Sequence, residues 1–198
     1  MPGVHPSSVT ELRSVVDSGR PVDYLCFWGH QAEPDGTAGP GCLSQWWPSE
    51  FETEGQRFAT SEHYMMWRKA VLFADVAAAD RILGATDPEQ AKAYGREVTG
   101  FDSGLWSEHR YAAVVAGNLA KFDQHPELAR FLLGTGDQVL VETSPVDRIW
   151  GIGFAADDDR ATDPRSWPGL NLLGFALMDV RAHLRATRSA SGEALTET

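Results

Sequence analysis

The apolar residues of this sequence recur mostly at the three- and four-residue spacing of an amphipathic helix. Ser, Thr, Asp and Pro stand where several such segments begin, and Gly stands where several of them end, as helix caps do. The pattern predicts helices within Ser8–Ser18, Ser61–Phe73, Asp75–Gly84, Asp87–Arg96, Ser107–Phe122, Pro126–Gly134 and Asn171–Ala186.

Strand patterns are fewer and shorter. The segment Val22–Trp28 is rich in aromatic and β-branched residues, and Gln138–Thr143 alternates in polarity. Phe51–Phe58, with Glu54-Gly55 at its centre, has the composition of a small hairpin, and the glycine-spaced Trp150–Phe154 is expected to be extended. The sequence therefore predicts an α+β fold, a mostly helical single domain with a few short strands.

The predicted domain covers residues 22–186. Residues 1–21 form an N-terminal extension with one short peripheral helix, and residues 187–198 form a flexible tail, because the tail is small, polar and without an apolar period. The Gly- and Pro-rich stretch His30–Gly41 is a long loop inside the domain. A chain of 198 residues is long enough for one domain with a substantial core.

The charge balance of the sequence restricts its partners. It has 17 Lys and Arg against 28 Asp and Glu, a formal net charge of −11 at pH 7, which argues against long-range attraction to nucleic acid. A local Arg or Lys cluster for a small anion is still compatible with that charge. No apolar run approaches the ~20 residues of a membrane span, and the first residues lack a signal-peptide pattern. We expect a cytoplasmic protein with reduced thiols and no membrane partner.

Motifs for metals and nucleotide cofactors are missing from the sequence. It contains neither a GxxxxGK[ST] phosphate loop nor a GxGxxG dinucleotide loop between a strand and a helix. It has no HExxH motif and no Cys/His cluster, and its six histidines are dispersed. We therefore expect that the protein needs no metal and no cofactor.

The predicted helix Ser61–Phe73 carries charged residues on an apolar face. Residues spaced four, seven and eleven positions apart share one side of a helix, and here that side carries Glu62, Met66, Lys69 and Phe73. Two interpretations are open. In a structural one, the carboxylate favours the positive end of the helix dipole and the amine reaches water over its own stem. In a functional one, the acid and the amine are kept among apolar neighbours for catalysis.

Other polar residues stand in or beside aromatic segments. Asp147 follows the predicted strand Gln138–Thr143, where catalytic groups are frequent, but a turn Asp is an equal alternative. Asn171 either contacts a ligand or caps the last helix. Arg96 is a phosphate candidate because a guanidinium pairs two N–H groups with phosphate oxygens, although a solvated helix end explains it too.

Several tryptophans stand in loops or at element ends, where they could line a site for a flat heteroaromatic ligand as well as fill a core. The ones we consider for substrate binding are Trp28, Trp106 and Trp150. Gly151 follows the last of these, and its lack of a side chain also suits a close approach of two backbone segments.

Six ordered blocks of the sequence, from about Tyr24 to Leu184, resemble the NADAR family, also called the YbiA-like or DUF1768 family. The blocks are FW followed after a loop by LSQWWPSEF, then FATSEHYMMWRKA, DPEQAKAYGRE, a Trp before a helix ending NLAKF, LLGTGDQVLVETSPVDRIWGIG and GLNLLGFALMDVRAHL. The chain departs from the family at Gln45, where LSN is common, and in its longer loop His30–Gly41.

The resemblance implies the YbiA-like fold and an N-glycosidase, a hydrolase of the bond between a ribose and a base nitrogen. Within the family, one branch acts on ribosylamino-pyrimidine 5′-phosphates, early riboflavin intermediates, and releases ribose 5-phosphate. Another removes ADP-ribose from modified guanine in nucleic acid. For this chain the first activity is our leading hypothesis, the second is the alternative, and a non-catalytic ADP-ribose-binding module is a third. A small ribosylated, phosphorylated molecule is then the expected partner, and nucleic acid is one only under the alternative.

The matching blocks also suggest roles for residues. Glu62 would protonate the leaving base, and Lys69 would either capture the opened sugar as a Schiff base or tune the pKa of Glu62. Asp147 would steady the cationic sugar or hold its hydroxyls, and Arg96 would take the phosphate. The remaining substrate contacts would come from Trp28, Trp106, Trp150, Gly151 and Asn171. The oligomeric state cannot be predicted from the sequence.

Overall fold

The computed structural model describes residues 5–190 and has, within them, seven α-helices and four short β-strands. The helices are α1 (Val9–Asp17), α2 (Ser61–Leu72), α3 (Val76–Leu83), α4 (Pro88–Arg96), α5 (Ser103–Gln124), α6 (Pro126–Gly134) and α7 (Leu172–Ala190). The strands are β1 (Tyr24–Phe27), β2 (Phe51–Thr53), β3 (Gln56–Phe58) and β4 (Val139–Glu142). The prediction of a mostly helical chain with a few short strands is confirmed. No helix between residues 5 and 190 has the length and apolar character needed to cross a membrane.

The elements divide into two compact units. Among the described residues, the first unit consists of 5–28, 32–43 and 127–190, and the second of 29–31 and 44–126. The first unit holds α1, β1, β4, α7 and nearly all of α6, whereas the second holds the β2–β3 hairpin and helices α2 to α5.

In the first unit a parallel strand pair is covered by the last helix. Strand β1 pairs with β4 from Tyr24 opposite Val139 to Phe27 opposite Glu142, and α7 packs against β4. The apolar side chains of this layer, among them those of Leu140, Phe175, Leu177 and Val180, are fully buried. Helix α1 belongs to this unit as well, because Arg13 donates hydrogen bonds to main-chain oxygens of Pro164 and Trp167. The predicted N-terminal extension therefore contains a helix that is bonded to this unit.

In the second unit helix α2 lies at the centre and packs against α3, α4 and α5. Its Tyr64 joins Phe51 and Phe58 of the hairpin in a buried aromatic cluster. The hairpin turns at Glu54 and Gly55, which both have positive φ (51° and 73°), as a tight two-residue turn of type I′ requires. The predicted hairpin is thus confirmed.

Some element limits differ from the prediction. Helix α5 begins at Ser103 instead of Ser107, because the Asp102 side chain accepts a hydrogen bond from the Leu105 N–H and caps the helix earlier. Residues 150–154 form bends and no strand. Helix α7 continues to Ala190, so residues 187–190 are helical and not part of a tail. The rest of the predicted tail, 191–198, lies outside the described residues.

Candidate active site

Lys69 is held near the end of α2 by contacts with α4 and with the segment that follows it. Its side chain is 9% exposed, and its Nζ donates a 2.7 Å hydrogen bond to the main-chain oxygen of Gly95. The same Nζ lies 4.0 Å from the centre of the Phe101 ring, in a cation–π contact. Burial, and next the nearby positive charge of Arg96, lower the pKa of Lys69 from its usual 10.5. The neutral, nucleophilic amine is therefore reached at lower pH than for a lysine in water.

Glu62 lies in the first turn of the same helix, two turns before Lys69. Its residue is 3% exposed, and its N–H donates to the main-chain oxygen of Gln45 at 2.9 Å. A seven-residue separation places the two side chains on one side of α2. The helix thus carries a buried carboxyl group and a buried amine on the same side.

The start of α2 is fixed by a chain of hydrogen bonds through His63. Thr60 caps the helix by accepting from the His63 N–H, and its Oγ1 also lies 2.8 Å from His63 Nδ1. On the other side of the ring, Nε2 lies 3.3 Å from the Ala85 oxygen, so the arrangement suits a neutral ring protonated on Nε2. Burial lowers the pKa of His63, which favours that neutral form. His63 therefore positions the turn that carries Glu62.

Helix α4 approaches α2 closely at Gly95. A Cβ placed on Gly95 would lie 2.1 Å from Met66 Sδ and 2.8 Å from Met66 Cγ. The absence of a side chain lets the α4 backbone come near enough for its oxygen to reach Lys69. The YGRE motif thus contributes to the site through a glycine, a role that its sequence alone did not indicate.

Two more cations, Arg96 and Lys92, lie one turn apart on α4. The Lys92 Nζ lies 5.6 Å from the centre of the Trp46 ring, and the His30 ring lies 5.9 Å from the same indole. The sequence analysis considered Arg96 as a phosphate ligand but not Lys92. The signal for Lys92 was its spacing of four residues from Arg96 in KAYGR, which places the two cations on one face of the helix.

The predicted ligand contact Trp106 lies elsewhere in the second unit. It lines a cavity of about 250 Å³ together with Glu54, Tyr64, Arg68, Leu72, His109 and three alanines of α5. Tyr64 and Arg68 point to the side of α2 opposite Glu62 and Lys69, given the helical spacing. The structure therefore does not bring Trp106 together with the acid and the amine.

Asp147 closes a tight turn in the first unit. Its Oδ1 accepts hydrogen bonds from the N–H groups of Ile149 and Trp150, both at 2.8 Å, and its own N–H donates to Ser144 Oγ at 3.2 Å. The turn interpretation of this residue accounts for Oδ1. Within residues 5–190, Oδ2 makes no hydrogen bond, so one carboxylate oxygen is available for other contacts.

Two further predicted site residues, Gly151 and Asn171, contact β4 or the turn that follows it. A Cβ on Gly151 would lie 2.8 Å from the Glu142 oxygen and 3.1 Å from the Asp147 oxygen, so the close approach inferred from the sequence is confirmed. The Asn171 side chain is fully buried. Its oxygen accepts from the Glu142 N–H at 3.0 Å and its amide nitrogen donates to the Leu140 oxygen at 2.9 Å. The amide is thus bonded to β4 instead of capping α7 or pointing to a ligand.

The exposed Trp28 follows β1, at the edge of the strand pair where the Asp147 segment follows β4. The indole is 66% exposed, and the preceding Phe27 oxygen accepts from both the N–H and the hydroxyl of Thr143. Because parallel strands present their carboxyl ends at one edge, the segments that carry Trp28 and Trp150 leave the sheet on the same side.

The fold has a counterpart among solved structures. The NMR structure of the E. coli protein YbiA matches with a TM-score of 0.68 and 26% identity, covering 84% of this chain and 88% of that one. It places the chain in the class of YbiA-like proteins.

The family model named NADAR domain matches residues 26–185, and the chain belongs to the NADAR family. An N-glycosidase of Acanthamoeba polyphaga mimivirus is 40% identical over 149 residues, 73% of this chain and 88% of that protein. An N-glycosidase of Nostoc punctiforme is 35% identical over 152 residues, 77% and 90% of the two chains. The chloroplastic riboflavin biosynthesis protein PYRR of Zea mays is 34% identical over 141 residues, 68% of this chain but 21% of that longer protein.

Proposed function

We propose that this protein is an N-glycosidase that hydrolyses the ribose–nitrogen bond of ribosylamino-pyrimidine 5′-phosphates and releases ribose 5-phosphate. The observation that carries the proposal is the buried acid–amine arrangement of Glu62 and Lys69 on one side of α2. Relatives named N-glycosidases that align with most of the chain support the reaction type, and the similarity to a protein named for riboflavin biosynthesis supports the substrate class.

The reaction needs a proton donor. When the bond between C1 of the ribose and the base nitrogen breaks, the electron pair leaves with the base and positive charge develops at C1. A buried carboxylic acid can protonate that nitrogen as it leaves. We assign this role to Glu62, which then takes a proton back from the water that adds to C1.

Lys69 has two roles consistent with its surroundings. In the first, the neutral amine attacks C1 as the base leaves with a proton from Glu62, the sugar ring opens to give a Schiff base, and water hydrolyses this Schiff base to release the sugar and the free amine. Its lowered pKa favours this role because it enlarges the neutral fraction. In the second, the amine stays charged on the same side of α2 as Glu62 and sets the pH at which the acid works. The covalent role is the one we favour.

The other assignments follow from the family resemblance. Asp147 keeps one carboxylate oxygen for the sugar, and Trp28 and Trp150 are the aromatic residues proposed for the base. Trp106 and Asn171 are less suited to substrate contact, since the first lines a cavity on the other side of α2 and the second is bonded to β4. Gly151 acts through the backbone approach that it allows.

A panel of ribosylated substrates tests the proposal directly. Purified protein is incubated with a ribosylamino-pyrimidine 5′-phosphate, with ADP-ribosylated guanine in DNA, and with ADP-ribose alone, and the released sugar is quantified by mass spectrometry. Release of ribose 5-phosphate, absent in the double variant Glu62→Gln/Lys69→Met, supports the proposal. Release of ADP-ribose from DNA instead would establish the alternative substrate. Binding of ADP-ribose with no release from any substrate would establish a binding module.

A further inference from the structure

Three cations lie together in the second unit without ion-pair partners. Lys69, Lys92 and Arg96 form no ion pair with any residue in the range 5–190, and for Lys92 and Arg96 no hydrogen bond is made there either. The neighbouring acid Glu97 pairs with Arg81 at 2.9 Å instead. We call this set the cationic face of α2 and α4.

These three cations have no acidic partner within residues 5–190, although the chain as a whole has a net charge of −11. Arg96 lies close enough to Lys69 to lower its pKa, which means that the two positive charges repel each other. Like charges that lie close together repel each other, and a bound anion would relieve that repulsion. The arrangement is therefore that of a site prepared for an anionic ligand.

One aromatic contact holds Lys92, which is half-buried, whereas Arg96 is exposed. The Lys92 ammonium lies over the Trp46 ring, at 5.6 Å from its centre, within the range of a cation–π contact. The contact restrains a long side chain without using its N–H donors, because the attraction is to the face of the ring. Three N–H groups of Lys92 are therefore available to an anion.

We propose that Lys92 and Arg96 together bind the phosphate group of the substrate and that Trp46 holds the Lys92 ammonium in position. The identity of the ligand rests on the proposed function. In that reaction Lys69 acts at C1, and the phosphate is attached at the opposite end of the ribose. Arg96 lies near Lys69, and Lys92 precedes Arg96 by one turn of α4, so the cations extend along α4 from the amine that is proposed to react at C1.

Calorimetric titration with ribose 5-phosphate, and with ribose as the matched probe without phosphate, tests this inference. Lys92→Met and Arg96→Met are each expected to weaken ribose 5-phosphate binding about 10- to 100-fold, the range for loss of a charged hydrogen bond. Trp46→Leu is expected to give a smaller loss and Lys92→Arg to retain most of the affinity. Arg130→Met, at an exposed position on α6, is the matched control and should bind like the wild type.

The outcomes separate this inference from the proposed function. Ribose 5-phosphate binding that depends on Lys92 and Arg96, without hydrolysis of any ribosylated substrate, supports the phosphate site and contradicts the glycosidase. Hydrolysis with equal kcat/KM for phosphorylated and dephosphorylated substrates, unchanged in Lys92→Met, supports the glycosidase and overturns the phosphate site. Unchanged ribose 5-phosphate affinity in folded Lys92→Met and Arg96→Met, checked by circular dichroism, overturns it as well.

Discussion

Lys69 Nζ and the main-chain oxygen of Gly95 lie 2.7 Å apart, so that the buried amine of α2 is oriented by the backbone of α4. A backbone acceptor cannot be removed by changing a side chain. What can change is the distance between the two helices, which depends on the contact of Gly95 with Met66. The geometry of the amine is thus coupled to helix packing.

Replacing Lys69 with Met distinguishes the two roles of the amine. Met is similar in length and fits an apolar environment, so the fold should persist. If the amine forms a Schiff base, Lys69→Met abolishes turnover, and borohydride added during turnover attaches the sugar to Lys69 of the wild type, detected by peptide mass mapping. Arg68→Met, on the opposite side of α2, is the control and should keep both activity and the adduct. Full activity of Lys69→Met at every pH would remove Lys69 from the mechanism.

Replacing Glu62 with Gln tests the general acid. The substitution keeps the size of the side chain and removes its acidic proton, and we expect a loss of about 10²- to 10⁴-fold in kcat, the usual contribution of such catalysis. A substrate whose leaving group departs as a stable anion should recover most of the loss, because it needs no proton. Glu89→Gln, at an exposed position on α4, serves as the control. Equal losses for both classes of leaving group would contradict the assignment.

The pH dependence of kcat should respond to Arg96. The positive charge of Arg96 disfavours the protonated form of Lys69 and so contributes to its lowered pKa. Arg96→Met removes this repulsion, raises the pKa of Lys69, and should move the rise of kcat with pH to higher pH. Arg96→Lys keeps the charge and should leave the profile in place. Measurement at saturating substrate excludes effects on phosphate binding, and an unchanged profile in Arg96→Met would contradict a rate-controlling amine.

His63 should make stability fall in mild acid. Burial lowers its pKa below the usual 6.5, so the unfolded chain binds a proton more readily than the folded one between the two values. Stability is therefore complete above about pH 6.5 and decreases as pH falls through that window. Urea unfolding at pH 7.5 and 5.5 should show a smaller decrease for His63→Gln than for the wild type. Equal decreases would show that other groups account for the acid sensitivity.

Gly95→Ala should destabilise the protein and misplace the amine. The new methyl group would overlap the Met66 side chain, and overpacking of this kind costs about 1–3 kcal/mol. Gly134→Ala is the matched control, because no atom lies within 4 Å of its added Cβ. Gly95→Ala should cost less stability in a Met66→Ala background than in the wild type, as a double-mutant cycle by chemical denaturation would measure. A stability equal to that of Gly134→Ala would show that the contact is not tight.

Local signals predicted most of the elements. Thr60 and Asp87 cap α2 and α4 through their own side chains, and Glu54-Gly55 forms the hairpin turn, because these choices depend on residues within one turn of the chain. The start of α5 was placed too late, since Gly104 interrupts the helical pattern and Ser107 is a plausible cap. Asp102 begins the helix through a single side-chain hydrogen bond.

The tertiary contacts of the predicted acid and amine could not be predicted from local sequence patterns. Helical spacing placed Glu62 and Lys69 on one side of α2, but the Gly95 oxygen and the Phe101 ring come from segments about 26 and 32 residues further along the chain. Trp106 was considered for the base because it is aromatic and precedes a helix. The sequence pattern does not show which side of α2 this helix packs against. In the structure, Trp106 lines a cavity on the side of α2 opposite Lys69.

The enclosure of α2 by three other helices has a consequence for how substrate range can evolve or be engineered. A substitution on α2 disturbs contacts with several helices at once, so the proposed reacting groups Glu62 and Lys69 are difficult to vary. His30, Trp46 and Lys92 are less enclosed, and the proposed reaction assigns none of them a step at C1. A library of substitutions at those positions would change ligand preference and leave Glu62 and Lys69 in place.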